Sequence, residues 1–307
     1  MELKTQIINH ALEIGFFKAG IAKAEPLEKE MEYLRSWLSN GYNASLEYAG
    51  KNLDKKLDVK NIFPEAKSVI VLAQNYYHPI KRKDNISGNY GKLARYAAGD
   101  DYHTIIMSKL EKLTHKIQEL VPNSINKCFV DSGVLLEKQW AVRAGIGWQG
   151  KNGLIVTRTH GSWLFLGIII SSIELGPDKP EKSFCGTCTK CIDTCPTCAI
   201  VKPKVIDANK CLSYWNIESK NEEIPNYLKE HSDCWLYGCD TCQDVCPWNK
   251  FAQMSSENRF APRNGETELE LETIFNMTET QFKERFANSA ILRRKLEGLK
   301  RNAEMLK

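Results

Sequence analysis

The residues best equipped for chemistry in this 307-residue chain are cysteines, ten of whose eleven lie between Cys185 and Cys246. Cys185, Cys188, Cys191 and Cys195 form C-x2-C-x2-C-x3-C-P, ending at Pro196; Cys239, Cys242 and Cys246 form C-x2-C-x3-C-P, ending at Pro247. A [4Fe–4S] cluster needs four thiolates, and in two-cluster bacterial ferredoxins the fourth cysteine of the longer run serves the other cluster. That logic joins Cys246 to Cys185, Cys188 and Cys191, and joins Cys195 to Cys239 and Cys242. The second set needs one remote ligand. Cys211, in Lys-Cys-Leu-Ser-Tyr-Trp, is preferred to Cys234 and Cys198, and the choice stays open. Two zinc sites of four cysteines are the alternative that paired C-x-x-C units permit. The third cysteine of the first run and the Cys-Pro endings favour iron and sulfur. Cys198 and Cys234 then read as spare thiols and Cys128 as a core residue. The pattern implies electron transfer and leaves the acceptor open.

Other candidates lie upstream. Asp131 follows an apolar run, Cys128-Phe-Val130, and precedes Ser132-Gly133 and a helical pattern. It could cap that helix, or act as a general acid whose pKa burial raises. Asp101-Tyr-His103 opens like a D-x-H-x-x-G cobalamin signature, but the glycine is missing. A helix cap by Asp101, with His103 packed or at the surface, is the plainer reading. Gly145-Ile-Gly147-Trp-Gln-Gly150 matches G-x-G-x-x-G, yet a helical pattern precedes it and a strand pattern follows. The dinucleotide fingerprint needs the reverse order, so these glycines mark a turn or a close approach. The tail from Lys283 to Lys307 carries Arg285, Arg293, Arg294, Lys295, Lys300 and Arg301, either a solvated basic face or a phosphate-binding one.

The elements that must position these groups follow from periodicity. Helical spacing runs over 3–14, 27–38, 104–120 and 135–144, and strand patterns over 16–22, 66–75, 126–130, 153–157 and 163–171. This is an α/β or α+β layered domain with its own core. Gly176-Pro-Asp-Lys-Pro marks a boundary. The domains expected are 1–175, a cysteine module 176–250 with little regular structure, and a helical tail 251–307. Hydrophobic content of 42% and charged content of 26% suit a soluble globular protein. No apolar run approaches the roughly 20 residues of a membrane span, and no signal peptide stands out. The cytosol is the expected location, where clustered cysteines point to metal or redox chemistry. The net charge of +4 alone says little about partners.

Several stretches together resemble the epoxyqueuosine reductase family. They are the two cysteine runs, Cys211-Leu-Ser-Tyr-Trp-Asn-Ile-Glu, Ala94-Arg-Tyr-Ala-Ala-Gly-Asp-Asp-Tyr-His103, Phe129-Val-Asp131-Ser-Gly with Glu137-Lys138, Gly145 through Asn152, and Gly298-Leu-Lys-Arg-Asn302. The resemblance implies an α+β fold: a nitroreductase-like cobalamin domain, a ferredoxin-like two-[4Fe–4S] module and a short helical tail. It implies reduction of the epoxide of epoxyqueuosine at the tRNA wobble position to queuosine, by cobalamin fed from two [4Fe–4S] clusters. It assigns Asp131 as proton donor. Lys56, Tyr96, Asp131, Ile155, Ser213, Asp240 and Thr241 fall at corrin contacts, and Lys220 in an RNA-facing segment. The cobalt takes no histidine ligand in this family. The partners implied are the anticodon loop of tRNA and an external low-potential electron donor, with the enzyme a monomer. Two other classes compete: a cobalamin reductive dehalogenase, usually exported by a twin-arginine signal, and a ferredoxin fused to an inert domain.

Overall fold

The computed structural model describes residues 2–80, 82, 89–221 and 223–307. Its strands are β1 (Lys18–Lys23), β2 (Ser68–Asn75), β3 (Tyr90–Leu93), β4 (Asn126–Phe129), β5 (Trp148–Gln149), β6 (Ile155–Val156), β7 (Leu164–Ser171), β8 (Ile200–Lys202), β9 (Val205–Ile206), β10 (Trp235–Tyr237) and β11 (Glu268–Glu270).

The main sheet has the order β1-β2-β7-β4, and every pairing in it is antiparallel. Side chains alternate across a strand, and here both faces are covered. Ile70, Leu72 and Ile169 face one core with Ile7, Ile106, Leu110 and Leu113, from the helices Leu3–Glu13 and Tyr102–Leu120. Val69, Val71, Ala73, Ile168 and Ile170 face the other, with Leu27, Phe63, Trp140 and Ile146. A strand buried on both faces reads as an unbroken apolar run, which is why Ser68-Val-Ile-Val-Leu-Ala was legible as a strand. The fold is therefore mixed α+β, with helices on both faces of an antiparallel sheet.

The glycines around Gly147 build a turn and a close approach. Gly145 adopts φ +67° just after the helix Glu137–Arg143. A Cβ on Gly147 would stand 2.2 Å from the Val156 carbonyl oxygen. These glycines lead into the β5–β6 hairpin, whose connection carries Lys151 and Asn152.

A second sheet, β10-β3-β11, draws one strand from each of the three sequence regions. Leu93, Leu236, Tyr237 and Leu269 from this sheet join Leu271, Phe282, Leu296 and Leu299 in one core. Asn302 is fully buried and donates to the carbonyls of Asn216 (2.7 Å) and Leu236 (3.0 Å). The tail is thus an integral packing element.

The cysteine module departs from the expected lack of structure. It contains the β8–β9 hairpin, a π-helical turn over Tyr214–Glu218 and the short helix Asn226–Glu230. Leu212, Tyr214, Trp215, Ile224, Leu228 and Trp235 pack together with Trp37, Leu46 and Met305 from outside the module. Their partners are remote, so local periodicity could not reveal them. Among the described residues, no helix is long and apolar enough to cross a membrane.

Candidate active site

The cysteines divide between two cavities. Cys185, Cys188, Cys191 and Cys246 line one of about 230 Å3, with Phe184, Trp248 and Phe251. Cys195, Cys211, Cys239 and Cys242 line a larger one of about 720 Å3. Asn152 borders both, and its Nδ2 lies 3.4 Å from the Cys242 carbonyl oxygen. Cys198 and Cys234 border neither; both adopt left-handed φ (+50° and +58°). Cys128 packs at the edge of the first core, its sulfur 3.2 Å from Thr114 Oγ1. Among the described residues, no three metal-binding side chains draw close enough to grip a single ion. The cysteines are instead spread around voids.

Local structure supports both thiol sets. The Trp148 indole N–H points at Cys185 Sγ (3.4 Å), and the Ala199 amide at Cys195 Sγ (3.3 Å). Such donors steady sulfur ligands and tune their potential. Lys151 Nζ donates to the carbonyls of Gly186 and Cys188, both at 2.9 Å, and so holds the first loop. Burial pushes the Cys239 thiol up to about 12, and raises Cys211 and Cys242 as well. Burial thus favours the protonated thiol at these three positions.

The larger cavity is amphiphilic. Leu135, Leu154, Leu166, Ile206 and Ile217 supply apolar walls; Tyr48, Tyr76, Tyr96 and Tyr102 supply rings with polar tips. Asp131 stands in the lining beyond the end of β4 at φ +46°. It does not cap the following helix, whose N-cap is Leu136. Its Oδ2 accepts the Tyr102 hydroxyl proton at 2.7 Å and lies 3.5 Å from His103 Nε2. His103 stacks on Tyr102 and lies 2.7 Å from Asp101 Oδ1 through Nδ1. Asp101 also caps that helix, accepting from the His103 amide.

This geometry corrects the expectation that burial raises the Asp131 pKa. The hydrogen bond from His103 outweighs burial and holds the carboxyl at about 2. Asp101 and then Asp131 lift His103 to about 9, so the proton resides on the imidazole at neutral pH. Glu137, which accepts from the Ser132 amide (3.2 Å), is pushed up to about 7 by burial.

The other singled-out residues fall as follows. Lys56 lines the large cavity; its ammonium donates to the carbonyls of Tyr48 (2.9 Å) and Lys51 (2.5 Å), and burial lowers its pKa. Tyr96, Ser213 and Thr241 line it too, Thr241 Oγ1 accepting the Trp235 indole proton at 3.0 Å. Asp240 also lines it, but its Oδ2 is held by Arg82 Nη2 (3.1 Å), the Arg95 amide (2.9 Å) and Arg95 Nη1 (3.3 Å). Ile155 sits in the core behind Leu154, outside the lining. Lys220 is exposed and outside it as well. In the tail, Arg294 and Arg301 donate to carbonyls of residues 215–221, and Arg285 and Arg293 pair with Glu266 and Glu218. Trp215 is buried and donates to the Asn209 carbonyl (2.7 Å), so it offers no free ring face.

Lys138, which carries no role in the sequence reading, also lines this cavity. Its side chain is ringed by protein yet reaches open cavity space, within electrostatic range of Asp131, Glu137, Cys211 and Cys242. Burial lowers its pKa. Only its place at the start of the helix that follows Asp131, seven residues on, hinted at this position.

Residues 56–132 match a family described as epoxyqueuosine reductase QueG, DUF1730, and residues 184–249 match a 4Fe-4S double cluster binding domain. An epoxyqueuosine reductase of Synechocystis sp. is 42% identical over 93% of this chain and 98% of its own length. One from Cellulophaga algicola is 43% identical over 97% and 95%. A crystal structure of epoxyqueuosine reductase with an epoxyqueuosine-modified tRNA-Tyr stem loop superposes with TM-score 0.93 at 31% identity, covering 99% of this chain and 80% of that one.

Proposed function

The chain belongs to the epoxyqueuosine reductase family, and from that premise we propose how its own residues reduce epoxyqueuosine in tRNA to queuosine. One observation carries the reading: Asp131 and four cysteines line a single large cavity, which meets a second cysteine-lined cavity at Asn152. Removing an epoxide oxygen takes two electrons and two protons and leaves an alkene and water. The site offers an entry for both.

Two [4Fe–4S] clusters, on Cys185, Cys188, Cys191 and Cys246 and on Cys195, Cys211, Cys239 and Cys242, form the electron path. The second set lies in the wall of the reaction cavity. The amphiphilic lining fits a corrin, in a nitroreductase-like domain spanning 1–175. Lys56, Tyr96, Asp131, Ser213 and Thr241 would face it directly, Asp240 through its backbone and Ile155 through Leu154. Cobalamin, when bound, supplies a strongly reducing cobalt centre for the attack on the epoxide. His103 is engaged by Asp101 and Asp131, which agrees with a cobalt that takes no histidine.

The chain's own groups handle the protons. Asp131 accepts from Tyr102 and His103, so a proton held by His103 can pass through Asp131 to the opening epoxide oxygen. With cofactor and substrate in place, the aromatic and aliphatic walls would limit the water around this relay and so strengthen it. The substrate enters as a flipped wobble base of the anticodon loop, with Lys220 and exposed tail cations on the phosphates. The enzyme acts in the cytosol as a monomer supplied by a low-potential donor. The module 176–250 carries electrons, and the tail 251–307 braces it.

Anaerobic reconstitution with iron, sulfide and cobalamin, followed by nucleoside analysis of epoxyqueuosine-containing tRNA, tests the reading. Queuosine formation is expected. A protein that binds both cofactors yet leaves the epoxide untouched overturns it.

A further inference from the structure

The small cavity has a surface that the reaction itself does not use. Gly186 and Thr187, between Cys185 and Cys188, are exposed, so little protein separates this cavity from solvent. Its lip is aromatic: Phe184 is 42% exposed and Phe251 57%. Trp248 joins these rings, with centroids 6.0 Å from Phe184 and 5.9 Å from Phe251. Beneath them the buried Trp148 packs edge-on to Phe184 (5.2 Å) and Trp248 (5.0 Å) and points its N–H at Cys185 Sγ.

The surrounding charge leans positive. Lys182, Lys190 and Lys250 are exposed and form no ion pair among the described residues. Arg158 lies 5.3 Å from the Phe184 ring centroid with a 60% exposed side chain, and pairs loosely with Glu181 (3.9 Å). Of the nearby carboxylates, Glu181 pairs with Lys18 (2.7 Å) and Asp244 with Arg95 (2.5 Å), while among the described residues the exposed Asp193 accepts only from the Thr189 hydroxyl (2.6 Å).

We propose that this aromatic lip and its lysine rim form the docking surface for an acidic protein electron carrier of the flavin mononucleotide class. The proposal rests on the two-cluster reading above. Exposed apolar rings at the centre with unpaired cations at the edge suit a brief, electrostatically steered encounter. Redox complexes of this kind bury less than about 1,200 Å2 and associate faster at low salt. In each encounter the reduced flavin loses one electron, and the cluster held by Cys185, Cys188, Cys191 and Cys246 gains it. Two encounters deliver the two electrons of one epoxide reduction. An RNA also favours aromatic and basic surface, but the substrate cavity lies on the other side of Asn152, and exposed Gly186 and Thr187 open the first thiol set to solvent here.

The test needs neither cobalamin nor tRNA, so its failure is distinguishable from failure of the epoxide reading. The cluster-loaded protein is mixed anaerobically with a reduced acidic flavodoxin, and bleaching of the cluster absorbance is followed. Calorimetry with the oxidised flavodoxin measures binding alone. Lys190→Glu with Lys250→Glu is expected to slow bleaching on the order of tenfold at low salt and to weaken binding in parallel. Bleaching by a net-neutral sulfonated viologen should stay unchanged. Lys182→Glu with Lys250→Glu, which spares the residue beside Cys191, should behave alike if the first pair loses iron. Unchanged flavodoxin kinetics in an iron-replete variant overturns the proposal. So does equal slowing with the viologen, or a variant that loses only tRNA stem-loop binding.

Discussion

Two stretches of this chain could hardly be held in place more differently. β2 buries all eight of its residues. Residues 176–196, which carry the first cysteine run, bury none. The strand lies between two apolar cores and gains stability from packing on both faces. The loop is held by polar contacts instead: Lys4 to Gly176 and Asp178, the Ile21 amide to Asp178, Lys18 to Glu181, Trp248 to the Phe184 carbonyl, and Lys151 and Trp148 around the first cysteines. The first region should hold its shape without cofactors, and the second should depend on metal. In the proposed reading, most ligands of the first cluster come from an exposed loop, while the groups proposed to handle protons lie beside the packed main sheet.

The largest expected effect separates the two directly. Cys242→Ser should remove one cluster's iron and abolish queuosine formation, with faster amide exchange around the cysteine loops and none added in β2 or β7. Loss of protection in β2 on iron removal would break the contrast. Asp131→Asn should keep both metal content and fold, yet slow turnover by about 10²- to 10⁴-fold, as expected for loss of a positioned proton-transfer group. Single-turnover rates with cobalamin and clusters assayed in the same sample check it, and normal turnover would remove Asp131 from the relay.

Ile70→Ala should lower unfolding free energy by about 2–5 kcal/mol, read from denaturant midpoints, while the folded fraction still binds iron normally. The smallest effect concerns pH. His103 is raised from 6.5 to about 9, so its stabilising contribution is complete below pH 6.5 and lost as pH rises through about 9. Asp131 is lowered from 3.8 to about 2, so its contribution is present above pH 3.8 and lost as pH falls through about 2. His103→Gln should therefore cost most between roughly pH 4 and 6.5, by less than about 1 kcal/mol, since both groups are partly solvated. A flat difference across pH would show that the pair is not ionised. The same variant should also erase an activity decline near pH 9.

Much of the sheet was legible because burial on both faces leaves an apolar signature in consecutive residues, as in Val69 to Ala73. The helix Tyr102–Leu120 announced itself through 3.6-residue spacing and the Asp101 cap. β3, β10 and β11 did not, because each is short and finds its partners far along the chain. The packing of Tyr214, Trp215 and Leu228 was hidden for the same reason. In the site, Asp131 stood out by its place after a strand, but its charge state could not be read. That state depends on His103 and Tyr102, some 28 residues earlier in the chain.

Sequence alone determined that this chain handles metal-bound thiolates, because three cysteines at short fixed spacing can take three corners of a cluster whatever the surrounding fold. It also determined the helix and strand periods of the first region, which are local consequences of side-chain geometry. Only tertiary structure decided that Cys211, rather than Cys198 or Cys234, shares a cavity with Cys195, Cys239 and Cys242. Only tertiary structure decided that Asp131 gives up its proton to His103. Both outcomes depend on distances between groups that the chain brings together only when it folds, and spacing along a sequence does not encode those distances.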